Sequence, residues 1–99
     1  MPVARTKHFF IYALTDPRPP YRIRFVGSAQ KMPRTTHDLV RANKTNDVLL
    51  SWIQRQKPLK PQIVLLEIAA GQQADEVENR WIATFRGLGD RLLNRCSSN

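Results

Sequence analysis

Apolar and polar positions along the chain divide it into short strand-like and helix-like stretches with little between them. Residues 8–14, HFFIYAL, are aromatic and β-branched in a run short enough for a strand covered on both faces. The following TDPRPP, residues 15–20, cannot extend that strand, because three prolines fix φ and remove backbone donors. It is therefore a turn. Residues 21–27, YRIRFVG, alternate, with Tyr21, Ile23 and Phe25 on one side and Arg22, Arg24 and Val26 on the other. This predicts a second strand with one solvated face, antiparallel to the first.

After Gly27 the apolar period becomes helical. Pro33 suits the first turn of a helix over 33–43, which places Thr36, Leu39 and Val40 on one side and Arg34, His37, Asp38 and Arg41 on the other. A second helix over 45–57 takes Thr45 or Asn46 as its N-cap and Leu49, Leu50, Trp52 and Ile53 as its apolar side. PLKP ends it, and residues 62–68, QIVLLEI, form a third strand whose near-continuous apolar run predicts burial on both faces. GQQ breaks that strand before an amphipathic helix over 74–89, closed by Gly87 or Gly89. The order β-β-α-α-β-α predicts an α+β fold, a three-stranded antiparallel sheet flanked by helices, in a single domain over 1–99.

Charge narrows the partner. Sixteen Lys and Arg against eight Asp and Glu give a net charge of +8, spread along the chain, which favours a polyanion. The single cysteine, Cys96, sits in the polar stretch NRCSSN without a disulfide partner, and one cysteine excludes a cysteine zinc cluster. There is no apolar run of about 18 residues, and MPVARTKHFF lacks the apolar core of a signal peptide. The expectation is a cytoplasmic, intracellular chain with no membrane partner.

Candidate chemistry begins in the last helix. Trp81, Ile82, Phe85 and Leu88 form its apolar stripe, and counting back three and four positions from Trp81 and Ile82 reaches Glu78. Glu76 falls instead on the outer side with Asn79, Arg80 and Ala83. A carboxylate at the edge of a core is costly unless paired, so Glu78 calls for a salt bridge to Arg34 or Arg22, or for a metal ion. Arg34, His37 and Arg41 recur at helical spacing and make a stripe suited to phosphate oxygens, or an ordinary solvated face. Tyr12 shares a strand face with Phe10 and Leu14, where a core role is the default, and both tryptophans lie on apolar helix sides.

In type and order these residues resemble the GIY-YIG nuclease family over almost the whole chain. Phe10-Ile11-Tyr12 is similar to the family's first motif and Phe25-Val26-Gly27 to its second. Arg34 and His37 follow as the family's arginine and histidine do, WIQRQKPLKPQIVLLE looks like the helix, loop and third strand of phage-type members, Glu78 precedes an apolar helix position, and Leu92-Leu93-Asn94 matches a terminal motif. Two residues depart from the pattern: Phe10 replaces the first motif's glycine and Phe25 the second motif's tyrosine. The interval from Gly27 to Arg34 is also shorter than is usual in the family.

The resemblance implies a divalent-metal-dependent endonuclease hydrolysing DNA phosphodiester bonds, a single catalytic domain of phage or homing-endonuclease type, working in a bacterial host if phage-encoded. Glu78 would bind Mg²⁺ or Mn²⁺, Arg34 the scissile phosphate, and Tyr12 would orient or activate the attacking water. A tyrosine of pKa about 10 is a poor base unless that value is lowered, and Lys31 and His37 are its substitutes. Arg22, Arg24, Lys31, Arg41 and Asn94 would contact nucleic acid, with sequence specificity supplied by a second copy or a separate partner. The alternative is a degenerate member that binds nucleic acid or protein without cutting. A basic structural protein of a nucleoprotein complex would explain the charge but not the inward Glu78.

Overall fold

The computed structural model describes residues 7–94 of the chain, so Cys96 lies outside the described residues. Three strands, β1 (His8–Thr15), β2 (Ile23–Ala29) and β3 (Gln62–Ala70), and three helices, α1 (Thr36–Ala42), α2 (Asp47–Gln56) and α3 (Ala74–Gly87), follow one another in the expected order β-β-α-α-β-α. The fold is α+β. The sheet is antiparallel in the order β2-β1-β3, so β1 is its central strand. Helices cover both faces. Tyr12, Leu14 and Phe25 pack with Leu39, Leu49, Trp52 and Ile53 of α1 and α2, whereas Ile11, Val26 and Ala69 pack with Val77 of α3 and, around them, Trp81, Ile82 and Phe85. This two-sided burial accounts for the unbroken apolar character of β1.

The second strand departs from its predicted alternation. It starts at Ile23, not Tyr21, and continues past Gly27 to Ala29. Leu14 pairs with Phe25 but Thr15 with Ile23, so Arg24 is an extra residue in a bulge. A bulge reverses the facing of what lies beyond it. Ile23 therefore joins the α3 side while Phe25 stays on the α1–α2 side. Nor is one face solvated, since Val26 is buried beneath α3.

The third strand is corrected too. It is an edge strand, and Leu65 and Ile68 are 47% and 51% exposed, so its apolar run does not mean burial on both faces. A second bulge, between the pairs Ile11–Glu67 and Tyr12–Leu65, leaves Leu66 as the extra residue. Both Leu66 and Glu67 thereby lean toward α3, where the Glu67 carboxylate accepts from the Trp81 indole at 2.9 Å and the Arg80 guanidinium at 3.0 Å.

Helix ends follow local chemistry. Helix α1 begins three residues later than predicted from Pro33, because the Thr35 hydroxyl accepts from the Asp38 N–H and makes Thr35 the N-cap. Val40, expected on the apolar side of this helix, is exposed. Asn46 caps α2 by accepting from the Leu49 N–H at 3.1 Å. Helix α3 closes at Gly89, whose φ of 93° suits glycine, with Gly89 N–H donating to Arg86 and Asp90 N–H to the Phe85 carbonyl. Leu88, expected in the apolar stripe, is 67% exposed at that turn. Among the described residues no helix is long and apolar enough to cross a membrane.

Candidate functional site

Tyr12 occupies the centre of the sheet and Gly27 lies directly opposite it on β2. The tyrosine ring crosses over this glycine: a Cβ at residue 27 would stand 2.7 Å from both the ring Cζ and the hydroxyl. Glycine inside a strand thus makes room for an aromatic ring. The hydroxyl accepts a hydrogen bond from the Asn43 side-chain amide at 3.2 Å, and that amide also donates to the Leu39 carbonyl. Tyr12 is only 1% exposed, and burial pushes its pKa up, with the nearby Glu78 charge adding to the rise. It is a neutral phenol held in place. Phe25, at the position of the second motif's tyrosine, is also buried, with its ring tilted against Tyr12 at a centroid distance of 6.4 Å.

Glu78 approaches the same stretch of β2 from the α3 side. Its carboxyl group is partly buried, which raises its pKa; the nearby Ser28 side chain opposes the rise, while Asp75, one turn earlier, adds to it. Neither Arg34 nor Arg22 forms the expected salt bridge with it. Among the described residues the ion pairs are Arg22–Asp90 and Arg80–Glu67, and Glu78 has no basic partner. Nor do the described residues contain a group of three His, Cys, Asp or Glu side chains arranged around one ion. A metal here would rest on the Glu78 carboxylate with the Ser28 hydroxyl beside it. Hard cations that keep several waters and take further oxygens from a substrate fit such a sparse donor set.

Beyond Ser28 the chain runs straight into a groove. An open cleft of about 1010 Å³ is lined by Ala29 to Arg34 from the segment after β2, by Asp38, Arg41 and Ala42 of α1, by Lys44, and by Phe10 and Leu65 of the sheet. Lys31, Arg34, Arg41 and Lys44 bring four cations to it against one carboxylate. That carboxylate, Asp38, accepts from the Arg34 backbone N–H at 3.0 Å, which holds its pKa below the usual range. Of the helical stripe, Arg34 and Arg41 share this groove. His37 does not: it lines a separate, more apolar cleft with Val40, Ile53 and Leu59.

The other candidates serve the chain's own architecture. Arg22 donates to Asp90 at 2.6 Å and to the Leu88 carbonyl at 3.0 Å, placing a cation at the C-terminus of α3. Arg24 donates to the Arg91 carbonyl at 2.7 Å. The Asn94 side chain pairs with the outer edge of β2, accepting from the Val26 N–H at 2.9 Å and donating to the Val26 carbonyl at 2.7 Å. With Leu93 N–H donating to the Arg24 carbonyl, residues 93 and 94 cover that edge as a short extra strand would. Sequence reasoning did not single out Lys44, Ser28 or Asn43. Lys44 follows Arg41 closely enough to have been read into the same basic run, whereas nothing local marks Ser28 or Asn43. Compared with protein-family models, curated proteins and solved structures, the chain finds no match.

Proposed function

We propose that the chain is a divalent-cation-dependent endonuclease of the GIY-YIG type that hydrolyses DNA phosphodiester bonds. The observation that carries this reading is Glu78: a partly buried carboxylate with no basic partner among the described residues, near Ser28 on the α3 face of β2, one residue before the chain enters a groove of four cations on the sheet's other face. A buried charge without a partner weakens a fold, and a site that uses it offsets that cost when its cation and substrate arrive.

Each side chain then has a task. Glu78 would hold the cation, with the Ser28 hydroxyl close to the carboxylate. A bound Mg²⁺ or Mn²⁺ supplies positive charge that makes water a better nucleophile and stabilises the leaving oxygen. Arg34, joined by Lys31, Arg41 and Lys44, grips the phosphates and offsets the charge that develops on phosphorus. Tyr12, buried and neutral, positions the floor of the site through Gly27 and does not act as a general base. His37, in the other cleft, has no part in this mechanism.

A second reading, nucleic-acid binding without cleavage, draws support from the burial of Tyr12 and Phe25, which leaves no tyrosine hydroxyl open to the groove. Supercoiled plasmid incubated with Mg²⁺ or Mn²⁺ separates the two. Nicking that disappears with chelator and in Glu78→Gln, and falls by about two orders of magnitude in Arg34→Ala, is the expected result. Tight plasmid binding without nicking under any divalent cation establishes the second reading instead.

A further inference from the structure

The groove beyond Ser28 is not lined as a plain phosphate track. Its four cations stand beside an apolar wall made by Phe10, Met32 and Leu65. Phe10 lies on the same side of β1 as Tyr12 and Leu14, but toward the strand's start, past the cover that α1 and α2 give those two residues. Its ring is left partly exposed where those two side chains are buried. Leu65, opposite Tyr12 on the edge strand, extends the apolar wall toward solvent.

Duplex DNA presents phosphates at its perimeter and keeps its base faces stacked inside. It would give Lys31, Arg34, Arg41 and Lys44 their partners and Phe10 none. An unpaired strand offers both, phosphates for the cations and a base face for the ring, and this is the pairing of groups by which single-stranded nucleic acid is held. We infer that the groove takes an unpaired stretch of DNA, a single-stranded end, flap or bubble, with Phe10 as the residue on which a base stacks. The inference rests on the nuclease reading of this site and assigns its substrate form. Phe10 stands where the first motif of the resembled family has glycine, so a stacking ring at this place belongs to this chain's own sequence.

Binding measured by fluorescence anisotropy tests it, with a labelled single strand, the same strand in a blunt duplex, and that duplex with a single-stranded overhang. Electrostatics alone favours the duplex, which has the higher charge density. Preference for the single strand and the overhang over the blunt duplex is therefore the expected sign of stacking. Phe10→Leu, which keeps an apolar side chain and removes the ring, should lose about fivefold in affinity for the single strand, the lower end of one stacked base, and leave blunt-duplex affinity unchanged. Phe10→Trp should retain the preference, and a thermal melt confirms that each variant folds. Blunt duplex bound as well as single strand, or Phe10→Leu without effect on the single strand, overturns the inference and leaves the nuclease reading standing. No binding to any of the three DNAs at low salt overturns both.

Discussion

Tyr12 and Gly27 face one another across β1 and β2, and the tyrosine ring fills the space that any side chain at residue 27 would need. The Phe25 ring closes the remaining side, 2.8 Å from the position of such a Cβ. Because Tyr12 is buried among α1 and α2, its ring has nowhere to move. Gly27→Ala should therefore destabilise the fold by about 1–3 kcal/mol, the range for overpacking a filled core. Chemical denaturation reads this directly, and an unchanged midpoint would mean that the ring is free to shift.

The Tyr12 hydroxyl meets Asn43 and little else. Tyr12→Phe should cost about 0.5–1.5 kcal/mol near neutral pH, the worth of one hydrogen bond, and leave the protein folded. Its pKa in the fold is raised by burial, so above about pH 10 the unfolded chain ionises first and wild-type stability falls as pH rises. Tyr12→Phe lacks that loss. Thermal melts in alkaline buffers should show the two proteins converging and then crossing. If the phenylalanine variant also cleaves DNA normally, the hydroxyl positions nothing that the reaction needs.

Glu78 gives the opposite end of the pH scale. Its folded pKa lies above the ordinary 4.5, chiefly through burial, so in that window the folded state holds a proton that the unfolded chain has released. Wild-type stability should fall as pH rises from about 4.5 through the folded value, and Glu78→Gln should escape this fall. The variant's melting temperature relative to wild type thus grows across the window and levels off at neutral pH. Millimolar Mg²⁺ should raise the wild-type melting temperature and leave that of Glu78→Gln unmoved. Equal responses of the two proteins to Mg²⁺ would place the cation elsewhere.

Asn94 offers one donor and one acceptor to Val26, a pairing that its amide supplies and an ionised carboxylate does not. Asn94→Asp keeps the acceptor for the Val26 N–H but turns a carboxylate toward the Val26 carbonyl. A destabilisation of about 1–3 kcal/mol is expected from the carbonyl left without its donor. Faster amide exchange at Val26 and Leu93 should accompany it, because the short covering strand along β2 is held by the same contacts. DNA affinity should change only through the added negative charge.

The sequence by itself determined the order and type of the three strands and three α-helices, because propensity, proline placement and apolar period are local properties of the chain. It also determined that Glu78 faces the edge of the core, since helical spacing ties it to Trp81 and Ile82. Only the tertiary structure decided which face each residue of β2 and β3 takes, because the bulges at Arg24 and Leu66 arise from pairing with β1 and leave no local mark. Strand order is equally non-local, and it made β3 an edge strand despite an apolar run that reads as buried. The arginines were sorted the same way. Arg22 and Arg24 are alike in sequence to Arg34 and Arg41, yet the chain after α3 folds back to engage the first pair and leaves the second in the groove. A charge is alike wherever it occurs, and what it binds depends on partners that folding brings from far along the chain.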